Sequence, residues 1–180
     1  MPWDPISDYD PAWPSQFETA ARSLREALGH AATRIDHIGS TSVPGLAAKP
    51  IIDLQISVPD LAAIDDYRPA IETCGFAWRP DNPDLTKRYF RELPGRSRTH
   101  VHVRQAGSFA EQAALLFRDY LRAYPLAAQE YAAVKRDHAY LLASDRSAYV
   151  EAKAPFTWRV LQEAHLWAQQ TGWRPGPADF

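Results

Sequence analysis

HIGSTSVPGLAAKPIIDLQISV, His37 to Val58, is the stretch on which the fold turns. From Pro50 onward its residues alternate. Ile52, Leu54, Ile56 and Val58 fall on one side of an extended chain, and Ile51, Asp53, Gln55 and Ser57 on the other. This is a strand with one apolar face and one face carrying a lone acid. Such an acid meets a cation, accepts hydrogen bonds or opens onto a cleft, because burying it unpaired is costly. Lys49 is one candidate partner, as an ion pair. The functional alternative gives Lys49 to phosphates and Asp53 to a magnesium ion, which accepts few protein carboxylates and fills its shell with water and phosphate oxygens. Gly39-Ser40-Thr41-Ser42 precedes the strand. A glycine there lets the backbone come close to a ligand, and the hydroxyls and unpaired amides of a short helix would face an anion. Taken alone, the same four residues also read as an ordinary serine-capped turn.

Working outward, Asp10-Pro11 or Trp13-Pro14 opens a helix along Phe17, Ala21, Leu24 and Leu28, stopped by Gly29. A short strand follows around 34–38. Leu61 to Thr73 predicts a helix interrupted near Pro69. FAWR, RYFREL and RTHVHVRQ predict strands between Pro/Asp/Asn and Pro/Gly turns. In the last, Val101 and Val103 share one face and Arg98, His100, His102 and Arg104 the other. The remainder is helical in pattern. Ser108 and Glu111 make a capping box, Pro125 begins a second helix reaching about Leu142, and Asp145 caps a third reaching about Gln170, broken or kinked at Pro155. Gly172, Pro175 and Pro177 predict a frayed tail. The expected fold class is α+β: a small mixed sheet with helices on one side, closed by a C-terminal helical bundle. One domain over 1–180 is expected, with a sheet-containing half to about 107, a helical half over about 108–170 and a tail from 171.

At 180 residues, 46% hydrophobic and 23% charged, the composition is that of a water-soluble globular chain. Twenty basic and twenty-two acidic residues give a net charge of −2, so no global field favours nucleic acid or an anionic membrane. Cys74 is the sole cysteine, which excludes an internal disulfide, and it reads as a small buried filler. The acidic, proline-broken MPWDPISDYD lacks the features of a secretion signal, and no apolar run is long enough to span a bilayer; a cytoplasmic location is expected.

HIGSTSVPGLAAKPIIDL, with YDPAWPSQFE, HVHV, LFRDYLRAYPLAAQEYAAVKR and YVEAK in that order, resembles the blocks of the bacterial GrpB-like family of the nucleotidyltransferase (polymerase-beta-like) superfamily. The resemblance runs from about Tyr9 to Leu166. It implies a Gly-Ser turn gripping a nucleoside triphosphate, here Gly39 and Ser40, and acids holding divalent ions (magnesium or manganese), here Asp53. It implies transfer of a nucleotidyl group to a small acceptor. Gln55 stands where the superfamily's second acid belongs, and the neighbouring strand offers His100 and His102 where a third acid would be. Imidazole suits transition metals better than magnesium.

The candidate site is therefore Asp53, His100 and His102 as catalytic groups, and Gly39, Ser40, Thr41, Ser42, Lys49, Lys135 and Lys153 around phosphate. Asp53, Gln55 and His102 are the candidate metal ligands, with His37 a further possibility. A transition metal at His100 and His102 would instead make a metal-dependent hydrolase. A non-catalytic nucleotide-binding module is the other alternative. Related domains resemble the extension fused to dephospho-CoA kinase in some bacteria, which implies a CoA-type ligand or a link to CoA metabolism. Trp158 and Trp167 read as packing aromatics, and His30, His138 and His165 as structural.

Overall fold

The computed structural model describes residues 5–180; the first four residues of the acidic amino terminus lie outside the described residues. Helix α1 (Trp13–Leu28) carries Pro14 in its first turn and buries Trp13, Phe17, Ala21, Leu24 and Leu28 along one stripe. Strand β1 (Arg34–Ile38) leads into a single 3-10 turn, Ser40–Ser42, and then into β2 (Ile52–Val58). The predicted 61–73 helix is shorter than its pattern. A 3-10 turn covers Ile64–Asp66, and α2 (Arg68–Thr73) carries Pro69 in its first turn instead of being interrupted by it. A proline lacks the amide that a first-turn residue has no partner for.

β3 (Phe76–Trp78), β4 (Arg88–Glu92) and β5 (Thr99–Gln105) complete a five-stranded sheet of order β1-β2-β5-β4-β3. β2 and β5 run parallel and the other pairs antiparallel, so the sheet is mixed as expected. Its apolar face packs on α1 and α2 through Leu54, Ile56, Val101, Val103 and Phe90, all fully buried.

Three helices follow: α3 (Phe109–Ala123), α4 (Pro125–Asp137) and α5 (Arg146–Thr171). The second ends before Leu142, and a 3-10 segment, Ala139–Ala143, carries the chain on. Pro155 does not break α5, which is continuous. Ser108 and Asp145 accept hydrogen bonds from the Glu111 and Ala148 amides at the starts of α3 and α5. α3, α4 and α5 build a second apolar cluster around Leu121, Tyr131, Phe156 and Val160. Trp158 is a correction: it stands 62% exposed, whereas Trp167 packs against Tyr120 and Tyr124. Cys74 is half-buried, its thiol on the Ser23 carbonyl.

The tail is a second correction. The Phe180 amide donates to the Ile35 carbonyl at 3.0 Å, and Asp179 Oδ2 accepts from the His37 amide at 2.9 Å and from Arg118 at 2.8 Å. Residues 179 and 180 thus supply partners to the free edge of β1, which its prolines did not reveal.

α3 lies across the polar face of the sheet and fixes what that face exposes. Beneath it Gln55 and Ser57 are fully buried: Ser57 donates to Glu111, whose other oxygen accepts from the Gly107 amide at 2.6 Å. Only the Asp53 end of the β2 polar row stays open.

Candidate nucleotide site

Asp53 and His100 are register partners across β2 and β5, with His102 two residues along the same face. Asp53 Oδ1 lies 3.4 Å from His100 Nδ1 and 3.1 Å from His102 Nε2. The three donor atoms fall within 4.8 Å of one another. Tyr89 of β4 closes the group laterally, its ring 5.5 and 5.3 Å from the two imidazoles. Burial raises the Asp53 carboxyl, but hydrogen bonds and charge from His100 and His102 outweigh it and hold the group below the ordinary carboxylate range. Burial holds His102 below its ordinary value despite the carboxylate. Asp53 is therefore an anion at neutral pH and His102 a neutral imidazole.

Gly39 explains why a glycine stands a dozen residues before this acid. Its φ is +71° and its ψ −171°, a region essentially closed to other residues. A Cβ there would sit 2.7 Å from Asp53 Oδ2 and 2.9 Å from Asp53 Cβ. The turn and the carboxylate are thus in van der Waals contact. Gly39→Ala is expected to cost about 1–3 kcal/mol in backbone strain and to displace Asp53 as well. Gly45, at φ +77° with nothing within 4 Å of its missing Cβ, is the control. Thermal unfolding of both variants checks this: G39A should melt lower than G45A, the difference reading the contact with Asp53.

The turn, the carboxylate and both histidines line one cavity of about 380 Å³, together with Lys49, Lys135 and Lys153. Lys135 and Lys153 come from α4 and α5 by the same device. Each follows a tyrosine by four residues and lays its ammonium on that ring, Lys135 4.7 Å from the Tyr131 centroid and Lys153 4.4 Å from Tyr149. Lys49 approaches Tyr149 as well, at 5.2 Å. The paired spacing in YAAVK and YVEAK is the sequence signal that sets Tyr131 and Tyr149 beside their lysines. Tyr149 is 1% exposed and its hydroxyl has no partner among the described residues. Burial, then the charges of Lys153, Arg136 and Lys49, push Lys135 down to about 7. Burial and Lys49 push Lys153 down to about 8 against the pull of Asp53. The cavity is short of negative charge.

Several expected members lie elsewhere. Lys49 is not the direct partner of the Asp53 carboxylate; the His100 and His102 rings lie against it instead. Ser42 turns its hydroxyl back to the Gly39 carbonyl at 2.6 Å. Thr41 lines the cavity but its hydroxyl bonds the Ile51 carbonyl and His37. His37 stacks on Phe17 and is held at about 4 by burial, away from the metal-binding atoms. Gln55 is sealed under α3, its amide oxygen accepting from Arg104 and its nitrogen 3.4 Å from the Glu111 carbonyl. The donor set that faces the cavity is one carboxylate and two imidazoles, which fits a single ion tolerant of nitrogen ligands and does not fit a pair of carboxylate-bridged magnesium ions.

Comparison with known proteins agrees with this architecture. The family model described as GrpB protein matches residues 5–163. The crystal structure of the conserved protein GrpB from Enterococcus faecalis superposes with a TM-score of 0.80 at 34% identity, covering 90% of this chain and 99% of that one. A curated relative named dephospho-CoA kinase, from Mycolicibacterium paratuberculosis, is 37% identical over 92% of this chain but only 47% of its own length. The chain thus spans about half of that relative. The Cid1 poly(U) polymerase, solved with MgGTP bound, shares the fold at 14% identity, with a TM-score of 0.52 over 74% of this chain and 43% of that one. No helix among the described residues is long and apolar enough to cross a membrane. The chain belongs to the GrpB family and has a nucleotidyltransferase-like fold.

Proposed function

We propose that the cavity binds the triphosphate of a nucleoside triphosphate and that the protein transfers the nucleotidyl group to a small hydroxyl-bearing acceptor. The observation that carries this reading is convergence: the Gly39–Thr41 turn, an ionised carboxylate between two imidazoles, and three lysines line one cavity. The three ammonium groups offset the charge of a polyphosphate, and the buried Tyr149 hydroxyl has a hydrogen bond to give. Asp53, His100 and His102 would hold one divalent ion, which supplies Lewis-acid polarisation of a phosphoryl oxygen when bound. The close approach of Asp53 Oδ2 to Gly39 fixes the carboxylate beside the phosphate-binding turn. The hydroxyl oxygen bonds the α-phosphorus, the bond to pyrophosphate breaks in line, and the hydroxyl proton leaves to water. Purified protein with each of the four ribonucleoside triphosphates and magnesium, manganese or zinc tests this, with pyrophosphate release as the readout and candidate hydroxyl compounds as acceptors.

One observation favours a second reading. Gln55 is sealed away where the superfamily's second acid belongs, which suits a non-catalytic module that holds a nucleotide or a CoA-type ligand. Tight nucleotide binding without pyrophosphate release under any of these ions would select it. Release of inorganic phosphate with a bound transition metal would select a hydrolase.

Both binding readings share a pH signature. An anionic ligand selects protonated Lys135 and Lys153, whose free-state values are about 7 and about 8. Affinity for a non-hydrolysable nucleoside triphosphate is expected to fall by about tenfold per pH unit near pH 7.5, steepening toward about a hundredfold per unit by pH 9.5, as the protons taken up on binding rise from about one to about two. Stability of the free protein moves the other way. Both lysines titrate lower folded than unfolded, so the unfolded chain binds more protons and their contribution to stability improves as pH rises from about 7 toward 10. Calorimetry across the range reads the first and thermal unfolding the second.

A further inference from the structure

A second cavity, of about 270 Å³, adjoins the first and shares Lys49 and Ile51 with it. Of its eight lining residues three are cations, Lys49, Arg98 and Arg146, and none is an acid. Glu92 is the nearby counter-charge, 3.1 Å from Arg98 Nε and shared with Arg91. Asp145 is engaged in capping α5, and Arg146 has no ion pair among the described residues. Lys49 is held below its ordinary value by burial and by Arg146, so the two cations crowd each other.

The sheet fixes where this cavity stands relative to the first. Ile51 and Arg98 immediately precede β2 and β5, whose first register pair is Ile52 with Thr99, and the Ile52 amide donates to the Arg98 carbonyl. The Ile51–Arg98 row is therefore one step from the Asp53–His100 row, about 7 Å along the strands at the usual rise for two residues. Lys135 and Lys153 line the first cavity but not the second. A triphosphate held against those lysines leaves the Arg98 side free. In-line displacement needs the acceptor on the side of the α-phosphorus opposite the departing pyrophosphate.

We propose that Arg98 and Arg146, with Lys49 shared between the two cavities, form an anion subsite for the acceptor, which is a small molecule carrying a phosphate or carboxylate group about 7 Å from its reactive hydroxyl. The word acceptor rests on the nucleotidyl-transfer reading; the anion subsite rests on the cavity and its charges.

Calorimetric titration with inorganic phosphate, acetate and a non-hydrolysable nucleoside triphosphate tests it. Phosphate is expected to bind at two sites, of which the triphosphate displaces one. The remaining site should weaken about tenfold in Arg98→Ala and in Arg146→Ala and stay unchanged in Lys135→Ala. Both arginines are exposed, so these variants keep the fold. Acetate binding there as tightly as phosphate identifies a carboxylate acceptor; phosphate alone identifies a phosphorylated one. A single phosphate site, or a second one indifferent to both arginines, overturns the proposal. If the triphosphate displaces neither phosphate, the nucleotidyl-transfer reading fails, and the arginine dependence still decides the subsite.

Discussion

Asp53→Ala is expected to lower pyrophosphate release by about a thousandfold, the equivalent of roughly 4 kcal/mol of lost transition-state stabilisation. The fold should tolerate the change, because the carboxylate is the 30%-exposed member of its cluster and faces a cavity that water can fill. Manganese or zinc binding, measured on the same samples, should disappear with the activity, since two alternating imidazoles alone make a poor site. Nucleotide affinity without metal should change in the opposite sense. Asp53 draws on the charge of Lys49 and Lys153, and its removal leaves the cavity more positive. Metal-free nucleotide is therefore expected to bind Asp53→Ala as well as wild type or several-fold better, by like-charge repulsion relieved at short range. Loss of turnover with retained affinity is the signature of a group that acts on the reacting phosphate. Unchanged turnover would remove Asp53 from the chemistry.

Much of this site could be read from the chain because strand alternation is unforgiving. Asp53 had to face away from Ile52 and Leu54, and His100 and His102 away from Val101 and Val103; parallel pairing then brought the two polar rows together. Gly39 was legible as a turn, but its contact with Asp53 was not, since a sequence gives no measure of how closely two segments approach. The fate of Gln55 was hidden for the same reason. Its alternation placed it correctly on the polar face, but which part of that face α3 covers is a matter of tertiary packing. The prolines misled in both directions. Pro69 lies in the first turn of a helix, Pro155 sits inside one without breaking it, and the proline-rich tail docks on β1. Local propensity gives way when the surrounding contacts are numerous enough. Trp158 shows the reverse: an aromatic on a long helix looks like core until the helix is oriented, and this one faces water.

The tail contact leads to Arg118, whose replacement by alanine is expected to be among the most destabilising single changes available in the helical half. Arg118 on α3 is 3% exposed. Its guanidinium donates to Asp179 and Asp119, each at 2.8 Å, and to the His37 carbonyl at 3.0 Å, with Asp36 at 3.9 Å. Removing it leaves two carboxylates and a buried carbonyl short of a partner. Asp36 is fully buried yet keeps Arg34, which grips it with two hydrogen bonds of 2.8 Å, so the cost falls near the lower end of the range for breaking a buried ion pair, about 3 kcal/mol. For a chain of this size that lowers the melting temperature by roughly 6–12 °C. Asp179→Ala removes only the tail's share and should cost less, and the double variant should cost less than the sum, because both changes delete the same contact. Arg118→Lys keeps the charge but not the fork of donors, and should recover only part of the loss. Function follows by position. His37 is two residues before Gly39, and Arg118 and Asp179 hold its carbonyl and its amide. Loosening that strand end frees the turn that abuts Asp53, so nucleotide affinity in Arg118→Ala, measured well below its melting temperature, is expected to fall several-fold although residue 118 does not line the cavity. An Arg118→Ala protein as stable as wild type would show that the tail and β1 are held by other means.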